Sequence, residues 1–188
     1  WGRKDPFLGG SSVDCFDVVA KSTIAWPEKE NCTTATGTVA YAIEHPTTFI
    51  TDSQDWCYTE GYSHHDYTRW KSDKTIYDPC PVGWRVPDGG ESGVWNISGV
   101  YDDYTYDSSD KSMIFYISSP DVTCYPASGY RDYYGELFGV GYYGYYWSVQ
   151  PSIEEYDLSF QNANLFPPTD GLSLAEAHSV RCQKEGTG

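Results

Sequence analysis

Lys74-Thr75-Ile76-Tyr77-Asp78-Pro79-Cys80-Pro81-Val82-Gly83-Trp84-Arg85-Val86-Pro87 is the stretch on which the architecture turns. Proline fixes φ, so Pro79, Pro81 and Pro87 stiffen the backbone around Trp84 and make it a candidate central core aromatic. Cys80 lies in the same stretch. It is one of six cysteines, with Cys15, Cys32, Cys57, Cys124 and Cys182, and no two form a C-x-x-C pair. Zinc ribbons and thiol redox motifs need such close pairs. Wide, even-numbered spacing points instead to disulfides formed in an oxidising compartment, with buried free thiols as the plain alternative. The spacing leaves the pairing open.

Working outward, 188 residues fit a single domain spanning 1–188, able to bury roughly 70% of its extended surface. Apolar residues make up only 39%, but aromatics reach 17%, with seven Trp and eighteen Tyr, and their large side chains offset the shortage of aliphatic ones. The net charge of −15 excludes the usual nucleic-acid binders, which need clustered Lys and Arg, and disfavours anionic membrane surfaces. No apolar run approaches a membrane span and no signal peptide opens the chain, so neither direct membrane insertion nor a retained leader is expected. The abrupt start at Trp1 suggests a mature or trimmed portion of something longer. Two sequons, Asn31-Cys32-Thr33 and Asn96-Ile97-Ser98, matter only in a host that glycosylates them.

Dense Gly and Pro punctuation predicts an α+β domain with few helices, short strands and long irregular stretches. A helix is expected over Ser12–Trp26, where Val13, Phe16, Val19 and Ala20 share a face. Thr38–Ile50 is rich in Thr and broken by Pro46, which predicts a short strand entering a turn. Further strands are expected over Met113–Ser119, Tyr142–Val149, Glu155–Phe160 and Ala177–Lys184, and a long surface loop over Gly89–Asp110.

Taken in order, WGRKDPF (Trp1–Phe7), YAIEHPTTFI (Tyr41–Ile50), KTIYDPCPVGWRVP (Lys74–Pro87), PASGYR (Pro126–Arg131), GYYWS (Gly144–Ser148) and SVRC (Ser179–Cys182) run nearly from end to end. This series resembles the Fibrobacter major-paralogous-domain family, found on surface proteins and lipoproteins of Gram-negative gut-type anaerobes. The resemblance implies a C-type-lectin-like fold, with long loops over a small twisted antiparallel sheet. It also implies an extracellular or outer-surface location and a Cys80–Cys182 bridge, because both cysteines sit in framework motifs. Two departures stand out. The family's helix after the RVP motif meets Asp88-Gly89-Gly90 and Ser92-Gly93 here, which dilute helix propensity. The family's strands ahead of WGRKDPF are missing, which would leave a sheet edge open to a partner strand, as in a surface fibre.

For function the richest segment is Tyr125–Tyr146, which holds eight of the eighteen tyrosines together with Gly129, Gly135, Gly139, Gly141 and Gly144. Tyrosine gives broad amphipathic contact at low rotamer cost, and glycine bends the loops that present it. Tyr133, Tyr134, Tyr142 and Tyr143 fall between glycines in apparent turns and are expected on a binding surface. Tyr145 and Tyr146, beside Trp147, are expected to cover a sheet. The predicted ligand-binding set is Asp132, Tyr133, Tyr134, Phe138, Tyr142, Tyr143, Glu155, Asp157, Leu174 and His178. Some members of the resembled fold are diversified by retroelements that mutate adenines in Asn-type codons. Asp132, Tyr133, Tyr134, Phe138, Gly139, Tyr142 and Tyr143 are reachable by that route, as are Ile153, Asp157, Ser159, Leu172, Ser173, Leu174 and His178, whereas Glu154, Glu155 and Glu176 are not.

Other chemistry is poorly supported. His64-His65-Asp66 reads as a polar loop, since adjacent strand residues point to opposite faces. Asp102, Asp103, Asp107 and Asp110 match no calcium-loop spacing, and the sugar-binding triplets of calcium-dependent lectins are absent. No cysteine pair is placed for formylglycine-type chemistry, and there is no nucleophile elbow, phosphate loop or dinucleotide fingerprint. The expectation is a non-enzymatic, cofactor-free binder of a protein or glycan on another surface, or else a structural subunit of a fibre or envelope.

Overall fold

The computed structural model describes residues 2–3, 28–58, 67–118, 121–149, 157–166 and 173–186. The helix expected over Ser12–Trp26, Cys15, the His64-His65-Asp66 loop, most of the WGRKDPF motif, Ile153, Glu154, Glu155 and Leu172 lie outside them. In chain order come β1 (Glu28–Asn31), α1 (Val39–Glu44), β2 (Thr48–Thr51), β3 (Trp84–Arg85), α2 (Val94–Ile97), β4 (Tyr104–Asp107) and β5 (Ser112–Ser118). There follow β6 (Asp121–Pro126), β7 (Tyr130–Arg131), β8 (Leu137–Phe138), β9 (Tyr143–Trp147), β10 (Asp157–Gln161), β11 (Asn164–Phe166) and β12 (Gln183–Lys184). The described chain is mostly β, with few short helices, many loops and several small sheets instead of the expected single one. Antiparallel sheets run β4-β5-β6, β11-β10-β9, β7-β8 and β12-β3, while β1 and β2 pair in parallel.

The Lys74–Pro87 stretch folds around one buried carboxylate. Asp78 accepts from the amides of Cys80 (2.8 Å) and Val86 (2.9 Å) and from Lys74 Nζ (3.0 Å). Lys74 also donates to the carbonyls of Cys80 (2.8 Å) and Trp84 (2.7 Å). An almost wholly buried carboxylate is tolerable only when paired and hydrogen-bonded in this way. The clamp presents Cys80 to Cys182, and the disulfide joins them next to the β3–β12 pair. Val86, Trp70, Trp147, Val149 and Leu174 pack against Cys80.

Trp84 is not the central aromatic that the prolines suggested. It is 43% exposed on β3, opposite Lys184, and the core positions belong to Trp70 and Trp147. The physical reason is the local turn: Gly83 takes φ 80°, Trp84 N–H donates back to Pro81 O at 3.0 Å, and Val86 is the residue turned inward.

Thr38–Ile50 is likewise not an opening strand. Thr38 Oγ1 accepts from Tyr41 N–H at 3.0 Å and caps α1, and Pro46 follows the C-cap His45, so a one-and-a-half-turn helix precedes β2. Gly89–Asp110 is not a plain loop either. It contains α2 and β4, and Trp95 and Val100 anchor it in the largest core cluster with Met113, Phe115, Tyr125, Tyr146, Leu158 and Phe160. Trp95 Nε1 donates to Tyr125 Oη at 3.0 Å and Tyr146 Oη to Pro126 O at 2.6 Å, so these aromatics bury their polar ends satisfied. After Val86-Pro87 the chain forms the four-residue helix α2.

The strands expected at Met113–Ser119 and Tyr142–Val149 are β5 and β9, and β10 falls within the third and runs one residue past it. Ala177–Lys184 is not one strand. Ala177 and Ser179 form single bridges to Arg131 and Tyr146, and only β12 is regular.

Candidate functional site

The Tyr-rich segment makes two successive turns beside the β9–β10 sheet. In the first, β7 and β8 pair Tyr130 with Phe138, and Asp132 organises the residues between them. Its Oδ1 accepts from Tyr134 N–H (3.0 Å) and Glu136 N–H (2.9 Å), an Asx-type turn closed by Gly135 N–H to Asp132 O (2.8 Å). Arg131, buried beneath, donates from Nη1 to Gly135 O at 2.8 Å. Tyr133 and Tyr134 occupy the tip with ring centroids 4.3 Å apart, and Tyr134 is 61% exposed.

In the second turn, the amides of Tyr142 and Tyr143 both donate to Gly139 O, at 2.9 and 2.8 Å. Gly139 has φ 60°, and a Cβ there would lie 2.0 Å from the Tyr143 ring, so only glycine fits. β9 then carries Tyr143, Tyr145 and Trp147 on one face by strand alternation, with Gly144 and Tyr146 on the core side.

Tyr130 is the hub of the resulting exposed aromatic cluster, with centroids 5.8 Å from Phe138, 6.2 Å from Tyr143 and 4.9 Å from Tyr145. Tyr142 meets Tyr143 edge-on at 5.0 Å, and its hydroxyl accepts from Gln161 Nε2 at 2.6 Å. His178 lies buried below. Its ring stacks on Trp147 at 3.9 Å and meets Tyr145 at 5.0 Å, and Nε2 pairs with Glu176 at 2.9 Å. Burial pulls the imidazole pKa down against the opposing pull of Glu176, which favours a neutral ring.

Carboxylates surround the rings. Burial, then Glu176, Tyr143 and Asp132, push Tyr130 up; burial, then Tyr130, Asp157, Tyr143 and Glu176, do the same to Tyr145. Asp132 is raised by its own burial and by Glu136 and Glu176, against the two amides it accepts from.

The structure therefore brings together Asp132, Tyr133, Tyr134, Phe138, Tyr142 and Tyr143 of the expected set. Asp157 and Leu174 are each 1% exposed and His178 sits under the rings, so these three form the floor and no ligand reaches them directly in this conformation. Asp157 is held there by its register opposite Trp147, and Leu174 by packing beside the disulfide. Ser159 and Ser173 are buried as well, so substitution at these codons acts on packing before contact. Tyr130 and Tyr145 belong to the cluster although Tyr145 was expected only to cover a sheet; the period-two spacing Tyr143, Tyr145, Trp147 was the available signal. Glu176 carried no such signal, because its proximity depends on the chain returning from far along the sequence.

Elsewhere, Asp107 spends its carboxylate on the amides of Ser109 (2.8 Å) and Asp110 (3.3 Å) and the Ser109 hydroxyl (2.6 Å). Among the described residues no three His, Cys, Asp or Glu side chains converge on a metal-sized site, and no helix is long and apolar enough to cross a membrane. Compared with family models, curated proteins and solved structures, the chain matches none.

Proposed function

We propose that the chain is a non-enzymatic ligand-binding module of C-type-lectin-like architecture, displayed outside a Gram-negative cell, that grips a protein or glycan through its aromatic turns. The observation that carries this reading is the placement of Tyr133, Tyr134, Tyr142 and Tyr143 at or near the surface, on glycine-bent turns tied to a rigid sheet. Rigid aromatic contacts on short loops lose little entropy on binding. The Cys80–Cys182 disulfide is in keeping with an oxidising, extracellular setting.

The test begins by selecting ligands for the intact chain from arrayed glycans and displayed proteins. Tyr133→Ser, Tyr134→Ser, Tyr142→Ser and Tyr143→Ser are then measured singly against each hit. Anchor positions should each weaken binding by about 1–3 kcal/mol. Unchanged affinity in all four would remove the assignment. Sequencing the gene's last third across a natural population adds the diversification question. Changes crowded on the Tyr133, Phe138 and Tyr142 codons, with Trp147 and Cys182 constant, would mark a diversified binder.

A second reading, a subunit of a surface assembly, draws on Tyr116, Ile117 and Val122, which are exposed apolar residues on β5 and its edge neighbour β6. Self-association at micromolar concentration, by sedimentation, would favour it.

A further inference from the structure

We infer that the aromatic turns receive a cationic side chain, the ammonium of a lysine or the guanidinium of an arginine presented by a partner protein. The inference rests on the binding-face reading above and specifies its chemistry.

The rings supply half of the complementarity. A tyrosine face carries negative potential, and cations settle over it within about 6 Å of the centroid. This chain already uses that contact internally: the Arg69 guanidinium carbon lies 4.7 Å from the Trp56 ring centre and that of Arg181 4.6 Å from the Tyr125 ring centre.

Carboxylates supply the other half. Burial first, for Tyr130 and Tyr145, and the hydrogen bond with Tyr134 first, for Tyr133, raise these phenols. Glu176 adds to all three, with Asp132 adding at Tyr130 and Tyr133 and Glu136 acting on Asp132. Cations stand nearby too, since Lys111 lines Gly141 at the second turn and Arg131 interacts with Glu136 and Asp132, and Glu176 acts on Tyr130 and Tyr145 beyond these pairs. Lys29 pairs with Glu136, and Arg131 is buried with Nη1 turned to Gly135 O.

The independent sign of a missing positive charge is Asp157. It is 1% exposed, and among the described residues neither carboxylate oxygen has a hydrogen-bond partner. Its register opposite Trp147 puts it on the sheet face shared with Tyr145 and Tyr143, and it acts electrostatically on Tyr145 as well as on Tyr101. Above about pH 7, where Asp157 is ionised in the folded chain, a cation seated on the rings is attracted by its charge, and weak screening within the protein extends that attraction. The chain's overall −15 raises the encounter rate with basic partners. A neutral ligand can hydrogen-bond to these carboxylates but gains no charge–charge attraction from them.

The experiment is a ring-resonance NMR titration of the intact, tyrosine-labelled chain with short Gly/Ser peptides carrying one central lysine or arginine. Neutral controls carry acetyl-lysine or citrulline at the same position. The charged peptides should shift the Tyr130, Tyr133, Tyr143 and Tyr145 signals and the neutral ones should not. Raising salt from about 0.05 M to about 0.3 M should weaken the effect. Glu176→Gln and Glu136→Gln should each reduce affinity about two- to fivefold. Glu136, on the open side of the turn, keeps the test standing if Glu176→Gln perturbs folding.

Equal shifts from charged and neutral peptides would overturn the cation inference. So would silence toward every peptide while ligands selected in the previous experiment still depend on Tyr142 and Tyr143. Either result leaves the binding-face reading intact, whereas its own failure is read from the four serine variants.

Discussion

Replacing Asp157 by Asn should make the protein more stable, by an amount that grows from about pH 4 and is complete above about pH 7. Burial, reinforced by the charge of Glu176, pushes the Asp157 carboxyl from 3.8 up to about 7; its own amide opposes the shift without the geometry of a hydrogen bond. Below about pH 4 the group is protonated whether the chain is folded or not, and it exerts no pH-dependent effect. Between about pH 4 and 7 the unfolded chain releases the proton while the folded chain keeps it, so stability falls as pH rises. Above about 7 the folded state holds a buried charge without a partner and the loss is complete. At about 1.4 kcal/mol per unit, the displacement costs about 4 kcal/mol. The group is almost fully buried, so solvent screening removes little of this. Asn has nearly the same shape and no charge to bury. Urea unfolding of wild type and Asp157→Asn, with disulfides intact, should give similar stabilities at about pH 3 and a variant more stable by up to about 4 kcal/mol at about pH 8.5. A stability difference that is the same at both pH values would refute the account.

Gly144 lies on β9 against the core, where a Cβ would sit 2.1 Å from Phe160 Cζ, and Phe160 is wholly buried. Gly144→Ala should therefore cost about 1–3 kcal/mol in chemical denaturation, and an unchanged midpoint would mean the ring has room to move. Converting both Cys80 and Cys182 to Ala opens a covalent loop of sequence separation 102, and the unfolding free energy should fall by about 4–5 kcal/mol by the loop-entropy relation. Calorimetry of the double variant would show it.

The sequence made the framework more legible than the surface. The framework motifs around Cys80 and Cys182 led to the disulfide only through the family resemblance, because spacing alone left the pairing open. Short runs of apolar and aromatic residues between turn signals exposed β5 and β9. The α1 helix was hidden because its signal is a Thr38 cap and a following proline, read as strand residues before a turn. Trp84 was misplaced because propensity does not tell which side of a two-residue strand faces solvent. The tyrosine turns could be found from Gly and Tyr spacing alone. Their floor could not, since Asp157, Leu174 and His178 reach it only through sheet register and the returning chain, neither of which is encoded locally.

The position of the Cys80–Cys182 bridge also has a mechanical meaning. Force entering the chain on one side of Cys80 and leaving beyond Cys182 passes through sulfur and bypasses the intervening residues, which include both tyrosine turns. Roughly 350 Å of contour, at about 3.4 Å per residue, stays slack while the rest is under tension. A domain tethered in flow could then be stretched, even partly unravelled outside the ring, without that pull being transmitted along the backbone to the face that holds its ligand.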